Sequence, residues 1–270
     1  MKGIKMENSY SNTFEQSEET IKQNFIDKVV YKFKNLKVHE LFCFVGILMF
    51  LTTIAFTSHS FIEYVQSNSA WKVFFGIFDR LTYQSNWLLL IFCLAYFMFP
   101  KHQIFKGNKF IISTMVYIFF TFIGYNVVLV GISGDRGYVG NALAVTKNAW
   151  LHIICPLYFI LFGFIYMIDN KNQHPTSFWK LLLTGMIYPT IYAIYLVSIP
   201  FLFTNAPVTN SMGTNVYTIY GSATLTNGNP KSWAYIGVMY FLFFPGSFAL
   251  FYYSWKLINK TSFQFKTYKD

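Results

Sequence analysis

Charge is what this sequence has least of. Asp, Glu, Lys and Arg make up 12% of it, while 54% is apolar and 21% aromatic. Soluble domains carry about a quarter charged residues, so a chain with half that share has no means of covering a water-facing surface. Acidic residues are the scarcer sign, 11 against 21 basic. None stands in the middle of an apolar run, where an ion-coupled carrier would need one. The three cysteines, Cys43, Cys93 and Cys155, all lie inside apolar runs without CxxC spacing. That excludes a disulfide scaffold and a cysteine-based metal site, and they read as small buried apolar side chains. No metal or cofactor is expected. No signal peptide is visible, because the first apolar run follows a long polar N-terminus and is too long for a signal core. Internal repeats, low-complexity segments and Ala-x-x-x-Ala packing motifs are missing as well.

What the chain does have is six long apolar runs, centred near Leu51, Leu90, Phe120, Leu161, Ile191 and Phe244. About 20 apolar residues in a helix cross a hydrocarbon core roughly 30 Å thick. Lipid cannot hydrogen-bond the backbone, so each run is expected to be helical. The reading is an all-α, polytopic membrane protein with one bundle of six transmembrane helices over residues 39–258. A polar arm precedes it at 1–38 and a short tail follows at 259–270. In the arm, Phe25, Ile26, Val29, Val30, Phe33 and Leu36 recur at helical spacing among lysines, as in a basic amphipathic helix on a membrane surface. The net charge of +10 lies between the apolar runs. It therefore points to anionic headgroups rather than nucleic acid, and membrane lipids are the expected partners, with no soluble partner inferred. Only two basic residues are Arg, and Lys, Phe, Tyr and Asn are heavily used, the bias of an AT-rich bacterial genome.

Lysine placement sets the orientation. Sixteen of the 21 basic residues fall before span one, between spans two and three, between four and five, or after six. The remaining five (Lys72, Arg80, Arg136, Lys147 and Lys231) fall on the other side. The positive-inside rule makes both termini cytoplasmic in a cell membrane. The longest outer connection, from Thr204 to Lys231, alternates like a short strand at 215–221. It then carries a turn signal at Asn227-Gly228-Asn229-Pro230.

Several polar residues stand where lipid would exclude them. His59 is late in span one; Thr82, Ser85 and Asn86 open span two; Asn126 is late in span three; His152 is early in span four. Alternating span direction puts all of them in the outer half of the bundle. Convergence at one depth suggests one outward-facing polar pocket. His59 is also compatible with a place at the interface, and Asn126 with interhelical hydrogen bonding. Pro156 removes the helical donor of the His152 carbonyl, so span four is expected to bend there with an acceptor left over. Thr82 and Asn86 share a helix face. A Thr near a His is a potential nucleophile–base pair, and a nearby amide or hydroxyl, Asn86 or Ser85, a potential oxyanion donor.

Two segments resemble a known family. Arg80-Leu81-Thr82-Tyr83-Gln84-Ser85-Asn86 is similar to the second-helix motif of the androgen-induced-protein family of membrane hydrolases and its bacterial six-span relatives. Trp150-Leu151-His152-Ile153-Ile154-Cys155-Pro156-Leu157 is similar to that family's His-x-x-x-Pro-Leu motif, and Tyr188-Pro189 to the opening of its fifth helix. The resemblance implies hydrolysis of fatty-acid esters, with a catalytic Thr at Thr82 and a catalytic His at His152. The chain departs from the bacterial pattern before its last helix, where a loop with Tyr217 and Tyr220 replaces a Tyr-Pro-Tyr-Pro-like segment. The leading expectation is an intramembrane lipid-ester hydrolase. The alternatives are a six-span small-molecule transport subunit and a membrane protein without chemistry.

Overall fold

A computed structural model describes residues 27, 36–66, 74–132, 138–170, 176–205 and 215–261. Six helices within it are long and apolar enough to cross a bilayer: α1 Val38–Gln66, α2 Leu81–Met98, α3 Lys109–Gly131, α4 Ala142–Asp169, α5 Phe178–Leu202 and α6 Pro230–Lys260. Each expected run centre falls within its helix. Among the described residues there is no strand. The amphipathic helix expected in the arm and the residues Arg136 and Lys72 lie outside the described residues, apart from Asp27 and the start of α1.

The helices run up and down, so α1 begins and α6 finishes at one end of the bundle, here the termini end. The starts of α2, α4 and α6 lie at the opposite, far end. Apolar side chains cover the lipid-facing sides: Leu48 and Leu51 on α1, Ile91 on α2, Ile191 and Ile194 on α5, and Phe241 and Leu242 on α6 are all exposed. Exposed Trp179 and Trp233 flank the α5–α6 face at opposite ends, the places where amphipathic indoles prefer the bilayer interface.

The core is aromatic. Phe92 of α2 is fully buried and packs edge-on against Phe105, Phe159, Phe162 and Tyr166, with centroids 5.4–6.3 Å apart. Edge-to-face packing suits the ring quadrupoles and adds to area burial. Two glycines let neighbours close in. A Cβ at Gly163 would lie 2.3 Å from Met115 Sδ, and one at Gly185 would lie 2.3 Å from Phe248 Cζ. The three cysteines are free and buried, as their apolar neighbours implied.

Prolines shape the helices that carry the site. In α4, Trp150–Ile154 is wound as a π-turn immediately before Cys155 and Pro156. In α6, Met239–Phe243 does the same before Phe244 and Pro245. A wider turn accommodates the missing N–H and the ring bulk that a regular α-turn could not. The irregularity expected at His152 takes the form of this π-turn. The strand expected at 215–221 is not: Asn215–Thr218 has no regular structure and leads through a turn into a 3-10 turn, Gly221–Thr224. Among the described residues it meets no second strand. One backbone bond runs from Tyr217 N–H to Phe203 O, at 2.9 Å, and the segment is held instead by side chains packed onto the bundle. The turn signal that follows behaves as expected: 226–228 turn, Asn229 caps α6 through its side chain at Lys231 N–H, and Pro230 occupies the first turn.

At the termini end, α1, α2 and α4 are tied by a buried chain of polar groups. The His39 ring lies 2.6 Å from Asp169 Oδ2 through Nδ1 and 2.8 Å from the Tyr96 hydroxyl through Nε2. The His39 backbone N–H also donates to Asp169 Oδ2, at 3.2 Å.

Candidate functional site

At the far end α2, α3 and α4 meet in a layer of uncharged polar side chains. Thr82, Ser85 and Asn86 all lie on the buried side of α2. Asn86 is wholly buried, and its Nδ2 donates to the carbonyls of Thr82 (2.8 Å) and, across the interface, Leu151 (3.3 Å). Ser85 Oγ pairs with Thr121 Oγ1 of α3 at 2.8 Å and also donates to the Thr82 carbonyl. Asn126 Nδ2 donates to the His152 carbonyl at 3.0 Å, the acceptor that Pro156 leaves without its helical donor. The Tyr138 hydroxyl donates to the Asn126 Oδ1. The amides of Asn86 and Asn126 are thus committed to backbone carbonyls, and Asn126 has the role of interhelical hydrogen bonding.

His152 is buried and inward-facing, not turned to lipid. Its ring stacks flat on Tyr125, with centroids 3.4 Å apart and planes 7° from parallel. Its Nδ1 is buried and has no hydrogen-bond partner, and Asn86 Oδ1 is in the same condition. Buried polar atoms without partners are uncommon and costly, so two in one layer need an explanation. Thr82 is buried too, and among the described residues its hydroxyl makes no hydrogen bond.

Thr82 forms part of the wall of a narrow apolar cavity of about 80 Å³, together with Thr121 and Tyr125 of α3, Tyr192 of α5, Tyr220 of the long loop and Tyr240 of α6. His152 does not itself line this cavity; it stacks on Tyr125, which does. The cavity adjoins a larger hollow between α5 and α6, of about 450 Å³, through the shared residues Ala193, Ile236 and Tyr240.

Tyrosines roof the cavity. Tyr192 Oη and Tyr220 Oη, 3.0 Å apart, both accept from the Leu81 N–H at the start of α2. Tyr192 passes its own proton to the Asp79 carbonyl at 2.9 Å. Tyr217 donates to Asp79 Oδ2 at 2.6 Å, and Asp79 Oδ1 is buried without a partner. Burial pushes the Asp79 carboxyl up to about 6, against the downward pull of the Tyr217 bond and of Arg80. Burial likewise pushes the Tyr220 phenol up, so it keeps its proton as a donor. The segment 215–224 therefore closes the cavity from above.

Of the residues selected from sequence, the structure brings together Thr82, Ser85, Asn86, Asn126 and His152. His59 is not among them. It is half exposed on α1 and pairs with Glu63 one turn on, at 3.4 Å. Its exposure agrees with the alternative place at the interface that its Thr-Ser-His-Ser setting allowed. Sequence reading missed Asp79, Thr121, Tyr125 and Tyr192. Thr121 and Tyr125 are one turn apart on the face of α3 that precedes Asn126, a spacing that could have marked them. Asp79 carried a signal as well: an acid beside Arg80 at the start of an apolar run. No group of His, Cys, Asp and Glu suited to a metal ion occurs among the described residues.

Comparison with known proteins gives the chain relatives. A family model described as "Protein of unknown function (DUF1600)" matches residues 145–261, from the first turn of α4 onward. "Uncharacterized protein MG452" of Mycoplasma genitalium is 37% identical over 217 residues, covering 78% of this chain and 79% of that protein. Its homologue from Mycoplasma pneumoniae is 35% identical over 185 residues, 67% of this chain and 72% of its own. "Uncharacterized protein MG133" of Mycoplasma genitalium is 30% identical over 223 residues, 74% of this chain and 83% of its own. No solved structure matches. The relatives' names state no activity. The chain belongs to this family of mycoplasmal proteins.

Proposed function

We propose that the protein is a membrane-embedded hydrolase that cleaves a lipid ester in the far-end cavity, with Thr82 as nucleophile and His152 as base. The observation that carries this reading is the Thr82 hydroxyl, buried and unpaired in the cavity wall, in the same layer as a histidine whose Nδ1 is unpaired. The two residues are also those on which the resemblance to the androgen-induced-protein family falls. In the proposed reaction Thr82 Oγ1 attacks the ester carbonyl carbon and its proton passes to His152. The bond to the leaving alcohol breaks, and His152 returns the proton to that alcohol. Water then repeats the sequence on the acyl-threonine and frees the acid. The amides of Asn86 and Asn126 are occupied; in this scheme Tyr220, which lines the cavity, turns its proton from Tyr192 to the oxyanion. The narrow cavity suits an ester and a short stretch of chain, with the rest of the lipid in the hollow between α5 and α6.

The far end faces outward in this reading, with both termini cytoplasmic, because the basic residues concentrate at the termini end. A thiol introduced at Asn227→Cys should be labelled by an impermeant reagent on intact cells, and one at Lys260→Cys should not. The reverse pattern overturns the orientation.

A second reading, a binding protein without chemistry, is favoured by one observation. Among the described residues no hydrogen bond joins Thr82 to His152. Catalytic hydrogen bonds are often long before substrate arrives, so turnover decides. Purified protein in lipid nanodiscs should hydrolyse members of a lipid-ester panel, and Thr82→Ala and His152→Ala should each abolish this. The double variant should be no worse than either single one, because nucleophile and base act as a unit. A fully active Thr82→Ala protein overturns the assignment. A wild type that hydrolyses nothing in the panel favours binding.

A further inference from the structure

A second cavity, far larger than the first, opens between α2, α3 and α5. It holds about 1200 Å³. It runs from the loop before α3 up to Gln84 and Ser85 near the start of α2, about 20 Å along the α2 axis. One leaflet of hydrocarbon is about 15 Å deep, so the groove is as long as one leaflet and its headgroup zone.

Its chemistry changes along its length. At the termini end it is lined by Lys106, Lys109 and Lys180, with the hydroxyls of Ser113, Thr176 and Ser177 among them. Further up, Trp87, Leu88 and Ile91 of α2 supply an apolar side, across from Thr114, Tyr117 and Thr184. No acidic residue lines the groove, and among the described residues none of the three lysines has a carboxylate partner. Three unneutralised cations at the foot of an apolar slot complement an anion carrying a hydrocarbon chain. Helices α3 and α5 both begin at this mouth, at Lys109 and Phe178, so their positive dipole ends reinforce the lysines. Asn108, the residue before α3, is buried and its Nδ2 donor has no partner.

We propose that this groove is a binding site for one anionic phospholipid of the leaflet at the termini end. Its phosphate lies among Lys106, Lys109 and Lys180, and one acyl chain rises along Leu88 and Ile91. The site is separate from the Thr82 cavity and does not depend on the hydrolase reading.

The test is lipid retention by the full-length protein. Protein from nanodiscs of equal phosphatidylglycerol and phosphatidylcholine is released into detergent, and the bound lipid is counted by native mass spectrometry. Wild type should keep one phosphatidylglycerol in strong preference to phosphatidylcholine. Lys106→Gln, Lys109→Gln and Lys180→Gln should each weaken retention about fivefold, the effect of one lysine near an anionic surface, and the groove triple that combines them should lose the lipid. Thr184→Trp, which fills the groove wall and leaves every charge, should also expel the lipid. A control that removes Lys101, Lys256 and Lys260, all outside the groove, should retain it, and so should Thr82→Ala. Equal retention of the two lipids by wild type overturns the site. So does a control triple that loses lipid as readily as the groove triple, since that reports diffuse surface charge. Retention that survives both Thr184→Trp and the groove triple overturns it as well.

Discussion

Two buried polar assemblies stand at opposite ends of this bundle, and they differ in how completely they are hydrogen-bonded. At the termini end, both His39 ring nitrogens and its backbone N–H are engaged by Asp169 and Tyr96. At the far end, His152 Nδ1, Asn86 Oδ1 and Asp79 Oδ1 are buried without partners, and the Thr82 hydroxyl makes no bond among the described residues. Both assemblies sit in apolar surroundings, where an unpaired polar atom costs about 1–3 kcal/mol. A complete assembly stabilises the bundle and leaves nothing over for a ligand. An incomplete one sacrifices stability and holds groups ready for a substrate. The comparison thus separates a clamp from a site by counting partners, without reference to residue type, since each contains a histidine.

The largest expected effect is on the clamp. Asp169→Ala leaves His39 without two of its bonds, and removing one partner of a buried pair costs about 3–5 kcal/mol. Thermal unfolding in detergent should show a large drop, with ester turnover per folded molecule unchanged. A variant that folds normally would erase the contrast between the two ends.

The next effect is a gain. The Asp79 carboxyl is raised from 3.8 to about 6 by burial, so folding favours its protonated form. The folded state binds more protons than the unfolded state between those values, and stability falls as pH rises through the window. Asp79→Asn keeps an acceptor for Tyr217 and has no charge to desolvate. It should be more stable than wild type at about pH 7, by about 1–3 kcal/mol, with the advantage gone near pH 4. Equal melting of the two proteins at both pH values would mean that the roof carries no such cost.

Asn126→Ala should be intermediate. It strips the donor from the His152 carbonyl beside Pro156 and should cost about 1–3 kcal/mol. It also frees the α4 π-turn, so turnover should fall with stability. His152→Phe should have the smallest effect on stability, within about 0.5 kcal/mol or slightly favourable, because it keeps the stack on Tyr125 and removes an unpaired nitrogen. The same variant should have no turnover. A clear loss of stability there would make His152 a structural residue like His39.

Much of the fold was legible because lipid leaves few options. Six apolar runs had to be six helices, and alternating direction placed Thr82, Asn126 and His152 at one depth. Pro156 made the His152 carbonyl an orphan, and Asn126 supplies its donor. The misses were tertiary. His59 shares that depth, but the rotation of α1 about its axis turns it outward, and the polar residues around it, Thr57, Ser58 and Ser60, gave no sign of facing. Residues 215–221 alternate as a strand would, yet a strand needs a partner edge, and none lies nearby among the described residues. The roof formed by Asp79, Tyr192, Tyr217 and Tyr220 joins three segments far apart in the chain, so no local pattern could announce it. The lysine-footed groove was equally hidden, since Lys106, Lys109 and Lys180 read only as inside-positive loops.

The central claim is that the unpaired Thr82 hydroxyl is a nucleophile, and trapping its acyl adduct tests that most directly. Protein mixed rapidly with a lipid ester, quenched in acid and digested should yield the peptide containing Thr82 with the mass of one acyl chain added. Fragmentation should place that mass on Thr82, and the adduct should be absent from Thr82→Ala and His152→Ala. Ester cleavage by wild type with no acyl mass on Thr82, or an adduct that persists in Thr82→Ala, would contradict the account.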